Sequence, residues 1–254
     1  MFPILFEFGP FKIYTYGFFV ALGFVAALWV GGRDADRRGI ETKQFQDLCF
    51  AILVAAILGA RLFFVLLEWR YFADNPRQIL ALWKGGLVFY GGFIGAALAA
   101  VWYVRRHRMP LWDTADAIAP ALALGQALGR LGCLAAGCCY GAECHLPWAV
   151  TFTNPRGLAR LGVPLHPTQL YEAVAAFALF SVLYWVLGRR QRFPGQIFGA
   201  YLVGYPALRF TVEFFRGDPR GALGALSTSQ ALGIPLFLFG LWILFSQSRV
   251  TRNA

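Results

Sequence analysis

The chain has 254 residues, of which 58% are hydrophobic and 14% charged, with a mean hydropathy of +0.56. That is more apolar surface than one soluble core can bury, which excludes a soluble globular domain and leaves an all-α, polytopic membrane protein. The net charge of +10 would raise the question of nucleic acid in a soluble domain. Here the basic residues sit mostly in short loops between apolar runs, where the positive-inside rule accounts for them, and no nucleic-acid partner is expected.

Seven apolar runs of bilayer-spanning length follow one another: Ile13–Gly32, Leu48–Leu67, Gly85–Val104, Ala115–Leu134, Leu170–Leu187, Gly195–Phe215 and Leu232–Phe245, the last of them short. The opening stretch, Met1 to Pro10, has no basic leader and no small-residue cleavage site, so the first span is expected to remain in the mature protein. Aromatic strings at Phe6–Phe11, Trp69–Phe72 and Trp102–Tyr103 suit the headgroup zone. Of the 23 Lys and Arg, 12 fall in the loops on one side, 8 on the other, and three (Arg61, Arg130, Arg209) inside spans. This bias places the N-terminus outside and the C-terminus in the cytoplasm.

With that orientation the polar residues inside the spans share one depth. Tyr14 and Tyr16 open the first span, Arg61 lies in the outer part of the second, and Tyr90 starts the third. Arg130 ends the fourth, Tyr171 and Glu172 start the fifth, and Arg209 and Glu213 near the end of the sixth. About seven helices around an outward-facing polar cavity are expected, because intramembrane charge is costly unless it serves a site. Residues 1–254 read as a single transmembrane domain. Within it, 139–167, with prolines at 147, 155, 164 and 167, reads as a small outer head or lid. Asn75 to Lys84 carries an Ile79, Leu80, Leu82, Trp83 pattern that predicts a short surface helix.

Tyr205, Arg209 and Glu213 fall at i, i+4 and i+8 on one helical face, which Arg216 continues toward the surface. The Arg209–Glu213 pair is either a structural ion pair or a guanidinium oriented toward an anionic headgroup. Arg130 lies in Gly129-Arg-Leu-Gly132, where the glycines admit a neighbouring backbone or ligand. A second arginine in the same slab favours a phosphate clamp, with Arg61 as a weaker third member. Tyr90 is bracketed by Gly85-Gly86 and Gly91-Gly92, a pattern of close helix packing. His166-Pro-Thr-Gln-Leu-Tyr-Glu172 puts an imidazole, an amide (Gln169), a phenol and a carboxylate at a span start, more than a helix cap requires.

Of the cysteines, Cys49 is expected to be buried and inert, whereas Cys133, Cys138, Cys139 and Cys144 crowd together just after Arg130. Three readings stay open for them: a Cys139–Cys144 disulfide, a reactive thiolate helped by Arg130, and a zinc site with His145. The spacing lacks the paired motifs of structural zinc.

In chain order, Tyr14-Thr-Tyr-Gly17, Gly85-Gly-Leu-Val-Phe-Tyr-Gly-Gly92, Gly129-Arg-Leu-Gly132, His166-Pro-Thr-Gln-Leu-Tyr-Glu172 and Gly204-Tyr-Pro-Ala-Leu-Arg-Phe-Thr-Val-Glu-Phe-Phe-Arg216 resemble the bacterial prolipoprotein diacylglyceryl transferases nearly end to end. The resemblance implies a seven-span inner-membrane enzyme, needing no metal or soluble cofactor. It would move the diacylglyceryl group of phosphatidylglycerol to the lipobox cysteine thiol of a preprolipoprotein signal peptide, releasing glycerol 1-phosphate. It also implies that Arg130 and Arg209 hold the lipid phosphate, that Glu213 orients Arg209, and that Tyr16 and Tyr205 line the cavity. Tyr90 and Cys138 join the arginines and Glu213 as catalytic candidates. Arg61, Cys133, Gly141, His166, Gln169, Tyr171 and Glu172 complete the substrate-binding candidates. The chain is expected to work as a monomer among membrane lipids.

Where the family signature typically reads G-R-x-G-N-F-x-N-x-E-x-x-G, this chain has Cys133 and Ala136 for the asparagines and Cys138 for the glutamate. Tyr90 stands where the family has a histidine. These changes remove the candidate base and one anion while keeping the arginines. They leave a second reading, a non-transferase membrane protein acting through its outer thiols as a redox or acceptor-binding partner in envelope protein maturation. Small-anion transport is disfavoured, because the inner halves of the spans lack a polar path.

Overall fold

The computed structural model describes every residue except 10, 82–84, 219, 220, 224, 225 and 254. In chain order it contains β1 (Ile4–Phe8), β2 (Phe11–Tyr14), α1 (Thr15–Arg37), α2 (Thr42–Leu67), α3 (Trp69–Asp74), α4 (Phe89–Arg106), α5 (Leu111–Ala136), β3 (Val150–Thr151), β4 (Pro164–Leu165), α6 (Thr168–Ser181), α7 (Gln196–Glu213), β5 (Ala222–Leu223), β6 (Leu226–Ser227) and α8 (Thr228–Asn253). A π-helical stretch, Val182–Leu187, prolongs α6.

Five of these helical segments, Thr15–Arg37, Thr42–Leu67, Leu111–Ala136, Thr168–Leu187 and Thr228–Arg249, are long and apolar enough to cross a membrane. The protein is therefore all-α in its spanning part and multi-pass. The apolar runs at Gly85–Val104 and Gly195–Phe215 become α4 and α7, of 18 residues each, or about 27 Å of helix. The run read as short, Leu232–Phe245, is part of the 26-residue α8. Its helix extends into polar sequence because Thr228 and the Ser246–Asn253 stretch continue the turn without a breaker.

Two features were absent from the sequence reading. The aromatic stretch before the first span is an antiparallel hairpin, with Glu7 opposite Lys12 and Phe8 opposite Phe11. Glu7 forms ion pairs with Lys12 and Arg156, both 2.9 Å, and these hydrogen bonds, that of Lys12 first, hold its carboxyl below the usual carboxylate range. Where a surface helix was expected at 75–84 the chain forms a 3-10 turn, Pro76–Leu80, preceded by the short α3; Leu82, Trp83 and Lys84 lie outside the described residues.

The chain divides into two compact units, Gly32–Thr114 on one hand and Met1–Gly31 with Ala115–Ala254 on the other. In the first, α2 and α4 meet through small residues. A Cβ added to Gly92 would lie 3.1 Å from the Ala56 carbonyl oxygen, and one added at Gly59 would lie 3.2 Å from the Gly95 Cα. A side chain would thus meet the neighbouring backbone itself, so the two helices come as close as only small residues permit.

In the second unit, α7 packs against α8 by the same device, an added Cβ at Gly240 falling 2.9 Å from the Gly199 carbonyl oxygen. The start of α7 is held by Asp116 of α5, which is fully buried. Its carboxylate accepts from the backbone N–H groups of Gly195 (2.7 Å) and Phe198 (2.8 Å) and from Gln191 Nε2 (2.6 Å). An anion at a helix N-terminus satisfies orphan donors and the helix dipole together. Asp116→Ala is expected to destabilise the fold by about 2–3 kcal/mol, read from denaturant unfolding of the purified protein, because it leaves buried N–H groups without an acceptor.

Candidate functional site

The polar centre of the larger unit is built by the end of α5, the start of α6 and the end of α7. Glu172, 1% exposed, lies between three guanidinium groups. Arg130 Nη2 is 2.8 Å from its Oε1, Arg209 Nε 3.9 Å from the same oxygen, and Arg216 Nη1 3.8 Å from Oε2. Tyr205 donates to Glu172 Oε1 at 3.1 Å. Arg209 pairs with Glu213 at 2.7 Å, as the i, i+4 spacing predicts. Arg216, whose side chain is 3% exposed, is fixed on its far side by Asp218 at 2.9 Å.

The sequence reading placed Arg216 on the surface continuation of the α7 face and left it out of the site. Its seven-residue offset from Arg209 was the available signal, since i+7 returns to the same face after two turns.

The thiols converge beside these arginines. Helix α5 ends in a Schellman motif: Gly137 takes φ +75°, its N–H donates to the Leu134 carbonyl at 3.2 Å, and the Cys138 N–H donates back to the Cys133 carbonyl at 3.1 Å. This fold-back lays Cys138 over Cys133. Cys139 then adopts φ +61°, a left-handed conformation that a non-glycine residue holds only under constraint.

The constraint comes from the first turn of α6, where Thr168 Oγ1 donates to the Cys139 carbonyl and Gln169 Nε2 to the Cys138 carbonyl, both at 2.8 Å. The sulfur atoms of Cys133, Cys138 and Cys139 all lie within 4.8 Å of one another. Hydrogen bonds from Cys133 and Cys138, and then the Arg216 guanidinium, draw the Cys139 thiol below the usual thiol range against the opposing pull of burial.

No cysteine is in a disulfide among the described residues. The expected Cys139–Cys144 pair does not form, because the left-handed turn at Cys139 sends its sulfur toward Cys133. Cys144 meanwhile runs along β4, its N–H bonded to the Pro164 carbonyl. The zinc reading with His145 is likewise displaced, since the group that assembles is Cys133, Cys138 and Cys139.

Gly141 closes the loop where three backbones meet. Its N–H donates to the His166 carbonyl at 3.0 Å and it bridges Arg216, and an added Cβ would stand 2.7 Å from the Phe215 carbonyl oxygen. Gly141→Ala should therefore push the Arg216 strand away and cost about 1–3 kcal/mol by overpacking. A thermal melt checks this, and an unchanged midpoint would contradict the crossing as described. Gly132 has the same function against α1, its added Cβ falling 3.2 Å from the Tyr16 carbonyl oxygen, whereas Gly129 faces open space. Tyr16 thereby sits where α1 meets the end of α5, its backbone against Gly132.

The remaining candidates divide. His166 and Tyr171 belong to an aromatic cluster with Phe215 and Trp148, in which His166 Nδ1 is 3.2 Å from the Tyr171 hydroxyl and Trp148 Nε1 donates to that hydroxyl at 2.7 Å. They brace the loop, while Gln169 and Glu172 of the same motif face inward. Arg61 and Tyr90 belong to the other unit. Arg61 is buried between Phe64 and Phe72 and donates to the carbonyls of Gln78 (2.6 Å), Ile79 (2.9 Å), Gly85 (2.6 Å) and Gly86 (3.1 Å). That commits its guanidinium to the 78–86 loop. Tyr90 is the second residue of α4, 38% exposed, with its ring edge against Phe89.

Three guanidiniums thus converge on one buried carboxylate, and the planar donor fork of arginine suits oxyanions. By helical periodicity, the neighbouring face of α5 carries Leu131, Leu134 and Ala135 into an apolar cavity of about 430 Å³ shared with Phe2, Leu5 and Phe19. The arginine cluster and an apolar cavity thus adjoin along one helix.

The family model described as prolipoprotein diacylglyceryl transferase matches residues 3–246. The chain belongs to that family. It is 38% identical over 254 residues to a phosphatidylglycerol–prolipoprotein diacylglyceryl transferase of Geobacter sulfurreducens, covering 97% of this chain and 95% of the relative. It is 36% identical over 241 residues to that of Clostridium tetani, covering 95% and 96%. The second such protein of Clostridium perfringens is 36% identical over 230 residues, covering 91% and 89%. The arginine cluster and the cysteine loop are joined through Arg216, which pairs with Glu172 and bridges Gly141 at the end of that loop.

Proposed function

We propose that the protein transfers the diacylglyceryl group of phosphatidylglycerol to the lipobox cysteine thiol of a preprolipoprotein signal peptide. The observation that carries this reading is the convergence of Arg130, Arg209 and Arg216 on the buried Glu172 carboxylate. Glu172 gathers the guanidiniums into one buried cluster, in which Arg209 Nη1 has no hydrogen-bond partner among the described residues and is left as a donor for the headgroup phosphate.

In the reaction the acceptor sulfur forms a bond to the glyceryl carbon, the carbon–oxygen bond to phosphate breaks, and its electron pair leaves with glycerol phosphate. Negative charge grows on the phosphate as that bond breaks, so desolvated and preoriented guanidiniums lower the barrier. Glu213 orients Arg209, Tyr205 and Glu172 hold Arg130 in register, and the cavity beside Leu131 and Leu134 takes an acyl chain. The protein works as a monomer in the bacterial inner membrane. The excess of Lys and Arg in one set of loops puts the N-terminus and this site on the outer side.

Purified protein in phosphatidylglycerol vesicles is expected to add a diacylglyceryl mass to a lipobox peptide, and to add nothing when the peptide cysteine is replaced by serine. A folded sample that transfers nothing to the cysteine peptide, and fails to support growth of a transferase-depleted strain, would overturn the reading.

A further inference from the structure

The geometry points to a three-thiolate zinc site at Cys133, Cys138 and Cys139, whose open fourth position takes the acceptor cysteine thiol and presents it to the lipid as a thiolate. This rests on the transferase reading for the identity of the fourth ligand, but not for the metal site itself.

Three observations carry it. First, the backbone aims the thiols. The Schellman fold-back, the left-handed Cys139 and the hydrogen bonds from Thr168 and Gln169 bring three sulfurs within 4.8 Å. Sulfurs around a tetrahedral zinc at about 2.3 Å lie about 3.8 Å apart, so a contraction of about 1 Å at most closes the site.

Second, the set stops at three. Among the described residues, neither Cys144 nor His145 joins the group, and zinc with three protein ligands is the arrangement that keeps a position for substrate. Third, the surroundings suit a thiolate complex. Zinc with three thiolates carries one net negative charge, and the cysteine loop closes at Gly141, which bridges Arg216, a cation that also pairs with Glu172, so the metal sits beside the proposed phosphate clamp.

The chemistry calls for such a device. Glu172 and Glu213, the carboxylates at the clamp, are both committed to arginines, so the acceptor needs another way to lose its proton. A thiol bound to zinc is deprotonated outright. The acceptor S–H proton passes to water as the sulfur binds the ion, and the metal-held sulfur then gives an electron pair to the glyceryl carbon. The carbon–oxygen bond breaks toward the phosphate, and the neutral thioether, a weaker ligand, leaves the ion. Zinc is not oxidised or reduced, and no further reactant is needed.

The test uses the full chain in detergent or nanodiscs, with zinc and cobalt(II) as probes. After loading and removal of excess metal, wild type is expected to retain about one zinc per chain, and Cys138→Ser and Cys139→Ser to bind at least about tenfold more weakly. Cys144→Ser, buried but outside the group, should match wild type, and thermal melts check that each variant is folded. Cobalt(II) should show a sulfur-to-metal charge-transfer band that changes when a lipobox peptide with cysteine is added, and not with the serine peptide.

Absence of stoichiometric zinc in folded wild type, or equal retention by the cysteine variants, would overturn the site. A charge-transfer band indifferent to the cysteine peptide would overturn the fourth-ligand assignment. Transfer that continues at the same rate after chelation removes the metal would overturn the catalytic role while leaving the transferase reading intact. A peptide-responsive metal site in a protein without transfer activity would separate the two the other way.

Discussion

Arg209→Ala is expected to lower kcat/KM for transfer to a lipobox peptide by about 10²–10³-fold. Arg209 is held by Glu213 at 2.7 Å, and its Nη1 is buried with no hydrogen-bond partner. A buried donor without an acceptor is costly, so a phosphate oxygen that fills it gains more there than it would in water. The gain increases as the carbon–oxygen bond breaks and the phosphate acquires a second charge, and the effect should therefore fall mainly on kcat. Arg209→Lys keeps the charge but loses the planar fork, and should recover only part of the activity. An alanine variant within threefold of wild type, in a folded preparation, would remove Arg209 from the clamp.

Glu172→Ala should destabilise the protein by about 3–5 kcal/mol, the range for breaking a buried charge pair by removing one partner. The carboxylate faces Arg130, Arg209 and Arg216 and also accepts from Tyr205, so its loss leaves cations facing one another in a desolvated centre. Glu172→Gln preserves the shape and the Tyr205 hydrogen bond but not the charge, and should fall between alanine and wild type. Because a phosphate is the ligand proposed for these arginines, phosphatidylglycerol should restore part of the lost stability in Glu172→Ala, and phosphate-free diacylglycerol should not. Denaturant titration with and without each lipid measures this. A loss below about 1 kcal/mol would show that the arginines do not depend on Glu172.

The apolar helices were legible because burial in lipid imposes length and composition on a run: six of the seven runs became helices with ends displaced by only a few residues, and five helices are long and apolar enough to cross a membrane. The seventh was underestimated, since α8 continues past its apolar core into sequence that hydropathy does not mark. The Arg209–Glu213 pair was legible for a similar reason, helical spacing being local. Arg61 was not. Nothing in Leu58-Gly-Ala-Arg61 reveals that Gln78, Ile79, Gly85 and Gly86 would turn their carbonyls toward it, because that loop is placed by contacts far along the chain.

The sequence by itself determined the class of the protein and the approximate places of its long apolar helices. These follow from hydropathy and helical period, which act over neighbouring residues. Only the tertiary structure decided how those residues combine. It brought Arg216 to Glu172, placed His166 and Tyr171 in a cluster with Trp148 and Phe215, separated Cys144 from the other outer thiols, and gathered Cys133, Cys138 and Cys139. The physical reason is that each of these outcomes depends on a backbone conformation held from a distance. The left-handed turn at Cys139 persists because Thr168 and Gln169 hold its carbonyl and that of Cys138 from another helix, and the Gly141 crossing exists because residues 166 and 215 arrive at the same point.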